Sequence, residues 1–196
     1  SKAAALTRLD ILQPVTIIGL LLGAVLPFLI AAMTMEAVST MANRLTQDIR
    51  KQFRDTKGVL QGTVPADSSR LLAFLSTSAI KKSLLPMLLA LTVVLVIGLL
   101  LGTQGLGGFL LGAILSGFLI SSMMIMSGSM LDHAKRHIEA GDIGGRSSDP
   151  HKASLLGDML GDTLKDVSGP AVMNVVKLVA ITALLTGSLY SLSGVL

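Results

Sequence analysis

Four long apolar runs alternate with polar stretches along the chain. Ile11 to Met35 reads ILQPVTIIGLLLGAVLPFLIAAMTM, Ser83 to Leu101 reads SLLPMLLALTVVLVIGLLL, Leu106 to Leu131 is apolar with interspersed Gly and Ser, and an apolar run begins again at Gly169. A membrane-crossing helix needs about 20 mostly apolar residues. The pattern therefore predicts an all-α membrane protein with four transmembrane helices, over roughly 11–35, 83–101, 106–131 and 169–194, forming a single membrane module over 1–196.

The polar stretches carry their own signals. EAVSTMANRLTQDIRKQFRD keeps helical character without being apolar, so the first helix is expected to run on into water and end near Lys57-Gly58, with Pro14 and Pro27 kinking its apolar part. GVLQGTVPAD reads as a turn, TQGLGG as a tight hairpin between the second and third spans, and EAGDIGGRSSDPHKAS as a flexible loop. Small residues recur at four-residue spacing, at Gly19 and Gly23, at Gly108, Gly112 and Ser116, and at Ala183 and Gly187, positions that let helix backbones approach closely in lipid.

Composition sharpens the class. The chain has 196 residues, 51% of them apolar and 14% charged, with a mean hydropathy of +0.73; an ordinary soluble domain is about 25% charged. The absence of cysteine excludes a disulfide framework, a thiolate metal site and a cysteine nucleophile. With aromatics at 3% and no Trp there is no stacking platform for bases, and a net charge of +4 does not by itself indicate a nucleic-acid partner. SKAAALTRLD lacks the apolar core and cleavage site of a signal peptide, so the apolar runs are read as mature spans in a lipid bilayer.

Basic residues are unevenly placed. Arg44, Arg50, Lys51, Arg54, Lys57, Arg70, Lys81 and Lys82 fall in one inter-span segment, and Lys135, Arg136, Arg146, Lys152 and Lys165 in another, against Lys2 and Arg8 at the other end of the first span. The positive-inside rule then puts loops 44–82 and 132–166 in the cytoplasm and both termini of this multi-pass chain on the non-cytoplasmic side.

One stretch carries candidate chemistry. GDMLGDTLKDVSGP, Gly157 to Pro170, sets Asp158, Asp162, Lys165 and Asp166 at the mouth of the last apolar run. At 3.6 residues per turn from a helix start near Asp158, these four fall within an arc of roughly 100°. Clustered carboxylates raise each other's pKa values unless cations lie between them. Mg²⁺ is such a cation, taking carboxylate oxygens and sharing its shell with phosphate and water, while Lys165 suits a phosphate oxygen.

The third span ends in LDHAKRHIE, where Asp132 and Lys135 share a face and deliver charge to the same end of the bundle. His133 and His137 stand at i and i+4, a spacing compatible with a metal but lacking further ligands. Lys177 lies inside the last span, where an ionisable group is costly and needs a partner. No carboxylate nearby in sequence can neutralise it, so its partner is expected on another helix.

Taken together, GDMLGDTLKDVSGP, LDHAKRHIEAG, GGRSSDPHKAS, GAVLPFLIAAMTMEAV and DIRKQF resemble the C-terminal part of the membrane-integral, ion-pumping pyrophosphatases, from about Ile11 to Leu185. The resemblance implies a homodimer of sixteen-helix subunits in which an inner ring of six helices binds pyrophosphate with Mg²⁺, and hydrolysis drives H⁺ or Na⁺ across the membrane. Asp132, Asp158, Asp162 and Asp166 then match metal-binding positions, Lys135 and Lys165 phosphate-binding positions, and Lys177 the lysine of the ion gate. No catalytic base is assigned in this chain.

Some positions depart from the family pattern. Met126, Ser127, Gly128, Ser129, Met130 and Leu131 stand where the family has Asn-x-Gly-Gly-Ala-Trp, and Met159, Thr163 and Val167 replace Thr, Pro and Thr. Four helices cannot close a six-helix ring, so this chain alone is not a competent membrane-bound inorganic pyrophosphatase; the remaining helices are expected from another chain or segment. The alternative expectation is a diverged, non-catalytic membrane subunit with a structural or assembly role.

Overall fold

The computed structural model describes residues 9–56, 59 and 67–193, and the regular elements among them are helical. Helix α1, Pro14–Asp55, has 42 residues and is therefore about 63 Å long, roughly twice the thickness of a bilayer's hydrocarbon core. Its second half projects beyond the apolar stretch, as the sequence predicts. Pro14 occupies the first turn, where its missing N–H is one of the donors left unpaired anyway. It therefore opens the helix instead of kinking it, and Pro27 alone lies inside.

Helix α2, Ser68–Glu139, has 72 residues and is interrupted at Gly102. Its N-terminus is capped by Asp67, whose carboxylate accepts the Arg70 N–H at 3.0 Å. The first arm, 68–101, runs antiparallel to α1: Arg70, Leu71 and Phe74 border Asp48, Gln52 and Asp55 at one end, and Leu100 and Leu101 border Gln13 and Val15 at the other. The second arm, 103–139, runs parallel to α1, with Gly108 against Thr16, Gly112 against Leu20 and Gly117 against Pro27.

The chain thus reverses at Gly102, whose φ of 62° and ψ of −163° belong to a region only glycine occupies without strain. The hairpin expected at TQGLGG lies instead at this residue. Thr103 onward is helical, and Gly105 and Gly108 serve the crossing with α1.

Beyond a loop at 140–148, helix α3, Asp149–Asp162, leads without a break through a π-helical turn, Thr163–Ser168, into helix α4, Gly169–Ser193. Ser148 caps α3, accepting the His151 N–H at 3.3 Å, and Pro150 sits in its first turn. The helix therefore starts well before Asp158, and the expected flexible loop is shorter than its sequence suggested. This whole helix lies antiparallel to the second arm of α2, from Gly161 against Gly128 to Val176 against Gly117.

One core joins these pieces: Leu26 and Ile30 of α1, Ala90, Val94 and Ile97 of the first arm, Phe109, Ala113 and Ile120 of the second, and Val172, Val176 and Val179 of α4. Leu21, Phe28, Leu99, Leu115, Phe118, Leu119, Leu184 and Leu185 point outward, an apolar surface suited to lipid or further helices. Among the described residues, three helical stretches, Pro14–Asp55, Ser68–Glu139 and Asp149–Gly187, are long and apolar enough to cross a membrane. The predicted second and third spans are the two arms of one of them. Most of the GVLQGTVPAD turn, Lys2, Arg8 and the last three residues lie outside the described residues.

Candidate functional site

At the end of the bundle opposite Gly102, two backbones nearly touch. A Cβ on Gly128 would fall on the carbonyl oxygen of Gly161, so only glycine permits this crossing of α2 and α3. Asp132 lies one turn beyond Gly128, while Asp158 and Asp162 flank Gly161. The crossing delivers all three carboxylates to one place.

Lysines and an arginine knit them together. The Lys135 ammonium donates to Asp158 Oδ2 at 2.5 Å. Arg136 forks onto Asp132, with Nε 3.1 Å from Oδ1 and the terminal nitrogen 2.9 Å from Oδ2. Lys165 spans the helices, 3.9 Å from Asp132 Oδ2 and 3.6 Å from Asp162 Oδ1. Five of the residues singled out from the sequence, Asp132, Lys135, Asp158, Asp162 and Lys165, therefore converge, and Arg136 joins them.

Asp166 is exposed and makes no ion pair with this group among the described residues. The arc drawn at 3.6 residues per turn assumed an uninterrupted α-helix, and the π-helical turn breaks that periodicity between Asp162 and Asp166. Lys177 is exposed on α4, as is Asn174 one turn before it, and Lys177 has no ion-pair partner among the described residues. Both face away from this chain's own core.

Asp132, Lys135 and Glu139 all lie beyond Leu131, the end of the apolar stretch, and their protonation is biased by these contacts. The Arg136 hydrogen bond holds the Asp132 carboxyl below its ordinary range. The hydrogen bond to Asp158 pushes the Lys135 ammonium above its own. Glu139 is depressed by its hydrogen bond with His151.

That last pair escaped the sequence reading. His151 Nδ1 accepts the Ser147 N–H at 3.3 Å, which leaves Nε2 to donate to Glu139 Oε1 at 3.1 Å. The contact ties together the two ends of the 140–148 loop. Its signal in the sequence was Glu and His bracketing a Gly- and Ser-rich stretch, GDIGGRSSDP. His137 pairs with Asp142 at 3.1 Å, and no group of three or more His, Asp or Glu residues sits close enough to hold an ion among the described residues.

The donor set nevertheless suits Mg²⁺ as a partial shell. All its oxygens are hard carboxylates, and Asp158 Oδ1 is buried without a hydrogen-bond partner, an open donor beside the lysines. Mg²⁺ is commonly held by one or two carboxylates, with phosphate and water completing its octahedron.

The chain matches the family model described as inorganic H⁺ pyrophosphatase over residues 1–186. It is 40% identical over 181 residues to a K(+)-insensitive pyrophosphate-energized proton pump of Chloroflexus aurantiacus, covering 92% of this chain and 23% of that protein. It is 39% identical over 173 residues to a protein of the same description from Methanosarcina mazei, covering 88% and 26%. A K(+)-stimulated pyrophosphate-energized sodium pump of Thermotoga maritima is 34% identical over 184 residues, covering 93% and 25%. The chain thus spans about a quarter of the length of these relatives. With nearly its full length matched by the family model, this chain belongs to the inorganic H⁺ pyrophosphatase family.

Proposed function

We propose that this chain forms part of the pyrophosphate site of a pyrophosphate-energised cation pump, moving H⁺ or Na⁺. The observation that carries the reading is Lys165, which reaches Asp132 and Asp162 on two different helices. A lysine so placed can exchange a carboxylate partner for a phosphate oxygen without a change of fold. Lys135, held by Asp158, is poised in the same way.

In this reading Lys135 and Lys165 steady the phosphates, and Asp132, Asp158 and Asp162 would hold Mg²⁺, with Asp166 set apart from them by the π-turn. The metal, when bound, neutralises phosphate charge and acidifies bound water. Movement of Lys165 toward the phosphate would free Asp162, while Asp132 stays held by Arg136. The Glu139–His151 contact holds the loop beside the site. Lys177, outward on α4, meets a carboxylate from a helix outside this chain and gates the cation.

The two arms of α2 count as separate crossings, giving four membrane passes, with the charge cluster cytoplasmic and both ends of the chain on the far side. The rest of the pump, a homodimer of larger subunits, supplies the remaining ring helices and the group that activates water. A structural subunit is the second reading, favoured by the internal pairing of Asp132 with Arg136. Calorimetric binding of imidodiphosphate, a non-hydrolysable analogue, to the intact assembly in the presence of Mg²⁺ tests the choice. Lys165→Met should weaken it by about tenfold or more, the loss expected of a charge-assisted hydrogen bond; unchanged binding would favour the structural reading.

A further inference from the structure

The helix from Asp149 to Ser193 is continuous except in how it is wound. Between the charge cluster and Lys177 it passes through the π-helical turn Thr163–Ser168, where the Gly169 N–H bonds to the Leu164 carbonyl, five residues back. Pro170 accounts for the position of this turn. In an α-helix it would offer no N–H to the Asp166 carbonyl and would press its ring against it; a wider turn relieves the conflict.

A π-turn is an uncommon winding that needs support, and here the support comes from two other helices. Ser121 of α2, fully buried, donates its hydroxyl to the Gly169 carbonyl at 2.8 Å. The hydroxyls of Thr34 on α1 and Ser168, which is also fully buried, lie 3.2 Å apart. These contacts hold the C-terminal edge of the turn from two sides. Gly169 itself fits only as glycine, since a Cβ there would press on Ile125 and on the Leu164 carbonyl.

The consequence is rotational. An extra residue in one turn rotates everything beyond it by about 100° relative to an uninterrupted helix. The winding at Thr163–Ser168 therefore fixes which way Lys177 points relative to Lys165.

We propose that Ser121 is a positioning residue: by holding the Gly169 carbonyl it keeps the π-turn wound, and so sets the rotational register between the Lys165 cluster and Lys177. This rests on the pump reading, because the register matters for coupling only if the cluster binds pyrophosphate and Lys177 gates the cation. Ser121 is buried and bonded to the Gly169 carbonyl, eleven residues or about 16 Å of helix from Asp132, so its effect falls on the ratio of ions moved to pyrophosphate hydrolysed.

The test uses the intact assembly carrying Ser121→Ala, with Ser129→Ala as control; the Ser129 hydroxyl, among the described residues, bonds the Ile125 carbonyl of its own helix. One measurement is the distance between spin labels at Leu156 and Leu184, exposed positions on either side of the turn. The other is cation uptake per pyrophosphate hydrolysed in proteoliposomes. Ser121→Ala should shift the label distance and lower the ratio by about threefold to tenfold, the equilibrium change one lost hydrogen bond produces; Ser129→Ala should change neither. A wild-type label distance, or uptake and hydrolysis falling in equal proportion, would overturn the proposal. If the unaltered assembly shows no pyrophosphate hydrolysis, the pump reading fails, and the label distance still reports whether Ser121 holds the turn. Should Ser121→Ala not assemble, Thr34→Ala, which removes the hydroxyl facing Ser168, carries the same two measurements and the same outcomes.

Discussion

Gly128 and Gly161 meet backbone to backbone, the Gly161 carbonyl filling the space that a side chain on Gly128 would need. This contact brings Asp132 of one helix beside Asp162 of the other. Gly128→Ala should therefore destabilise by about 1–3 kcal/mol through overpacking, outweighing a helix-propensity gain of up to about 1 kcal/mol. Gly157→Ala meets only the flexible end of Leu131 and should be neutral or mildly stabilising. Thermal unfolding of the assembled protein compares the two.

The reversal at Gly102 and the 140–148 loop lie at opposite ends of the same 37-residue arm, which is about 55 Å long and exceeds a bilayer core. Since the chain contains no cysteine, single cysteines report sidedness without background. Thr103→Cys and Arg146→Cys should react with an impermeant maleimide from opposite faces of sealed vesicles. Reaction of both from one face would contradict the proposed topology.

Acid and alkaline limits follow from the polar end of α2. Glu139 is depressed when folded, so its contribution is present above the ordinary glutamate value and lost as pH falls through the lower, folded one. Lys135 is raised, so its contribution is present below the ordinary lysine value and lost as pH rises through the higher one. Stability should be flat across neutral pH and fall on both sides. Glu139→Gln should be less stable at neutral pH, with a shallower acid limb in pH-dependent unfolding; an unchanged acid limb would show that the His151 contact contributes nothing there.

The long helices and the small-residue crossings were legible because apolar run length and four-residue spacing are local signals. Gly19, Gly23, Gly108 and Gly112 all meet neighbouring backbone as their spacing suggests, whereas Gly187 meets nothing among the described residues. The convergence of Asp132 with Lys165 was also legible, since both sit at the charged ends of adjacent apolar runs. Other features, besides the Glu139–His151 pair, were not. The turn position depended on the backbone angles of Gly102, which several nearby glycines could equally have adopted. The separation of Asp166 depended on a π-turn that α-helical periodicity cannot represent, and the partners of Ser121 and Ser168 come from residues 48 and 134 positions away.

Lys177 separates a pump from a scaffold. It is exposed on the apolar helix α4 without an ion-pair partner among the described residues, so in a pump its partner comes from elsewhere in the assembly. Lys177→Met should leave assembly intact while uncoupling pyrophosphate hydrolysis from cation movement. Size-exclusion profiles and parallel hydrolysis and uptake assays check this; wild-type uptake in the variant would remove Lys177 from the cation path.

The most direct measurement is pyrophosphate-driven uptake of H⁺ or Na⁺ into sealed vesicles carrying the intact assembly, with and without Lys165→Met. Wild type should accumulate the cation only when pyrophosphate and Mg²⁺ are both present. Lys165→Met should lower the rate by about 100-fold, the scale of losing one preorganised charge at a reacting phosphate. Uptake undiminished in Lys165→Met, or no pyrophosphate-driven uptake by the wild-type assembly, would contradict the assignment of this helix crossing to the pyrophosphate site.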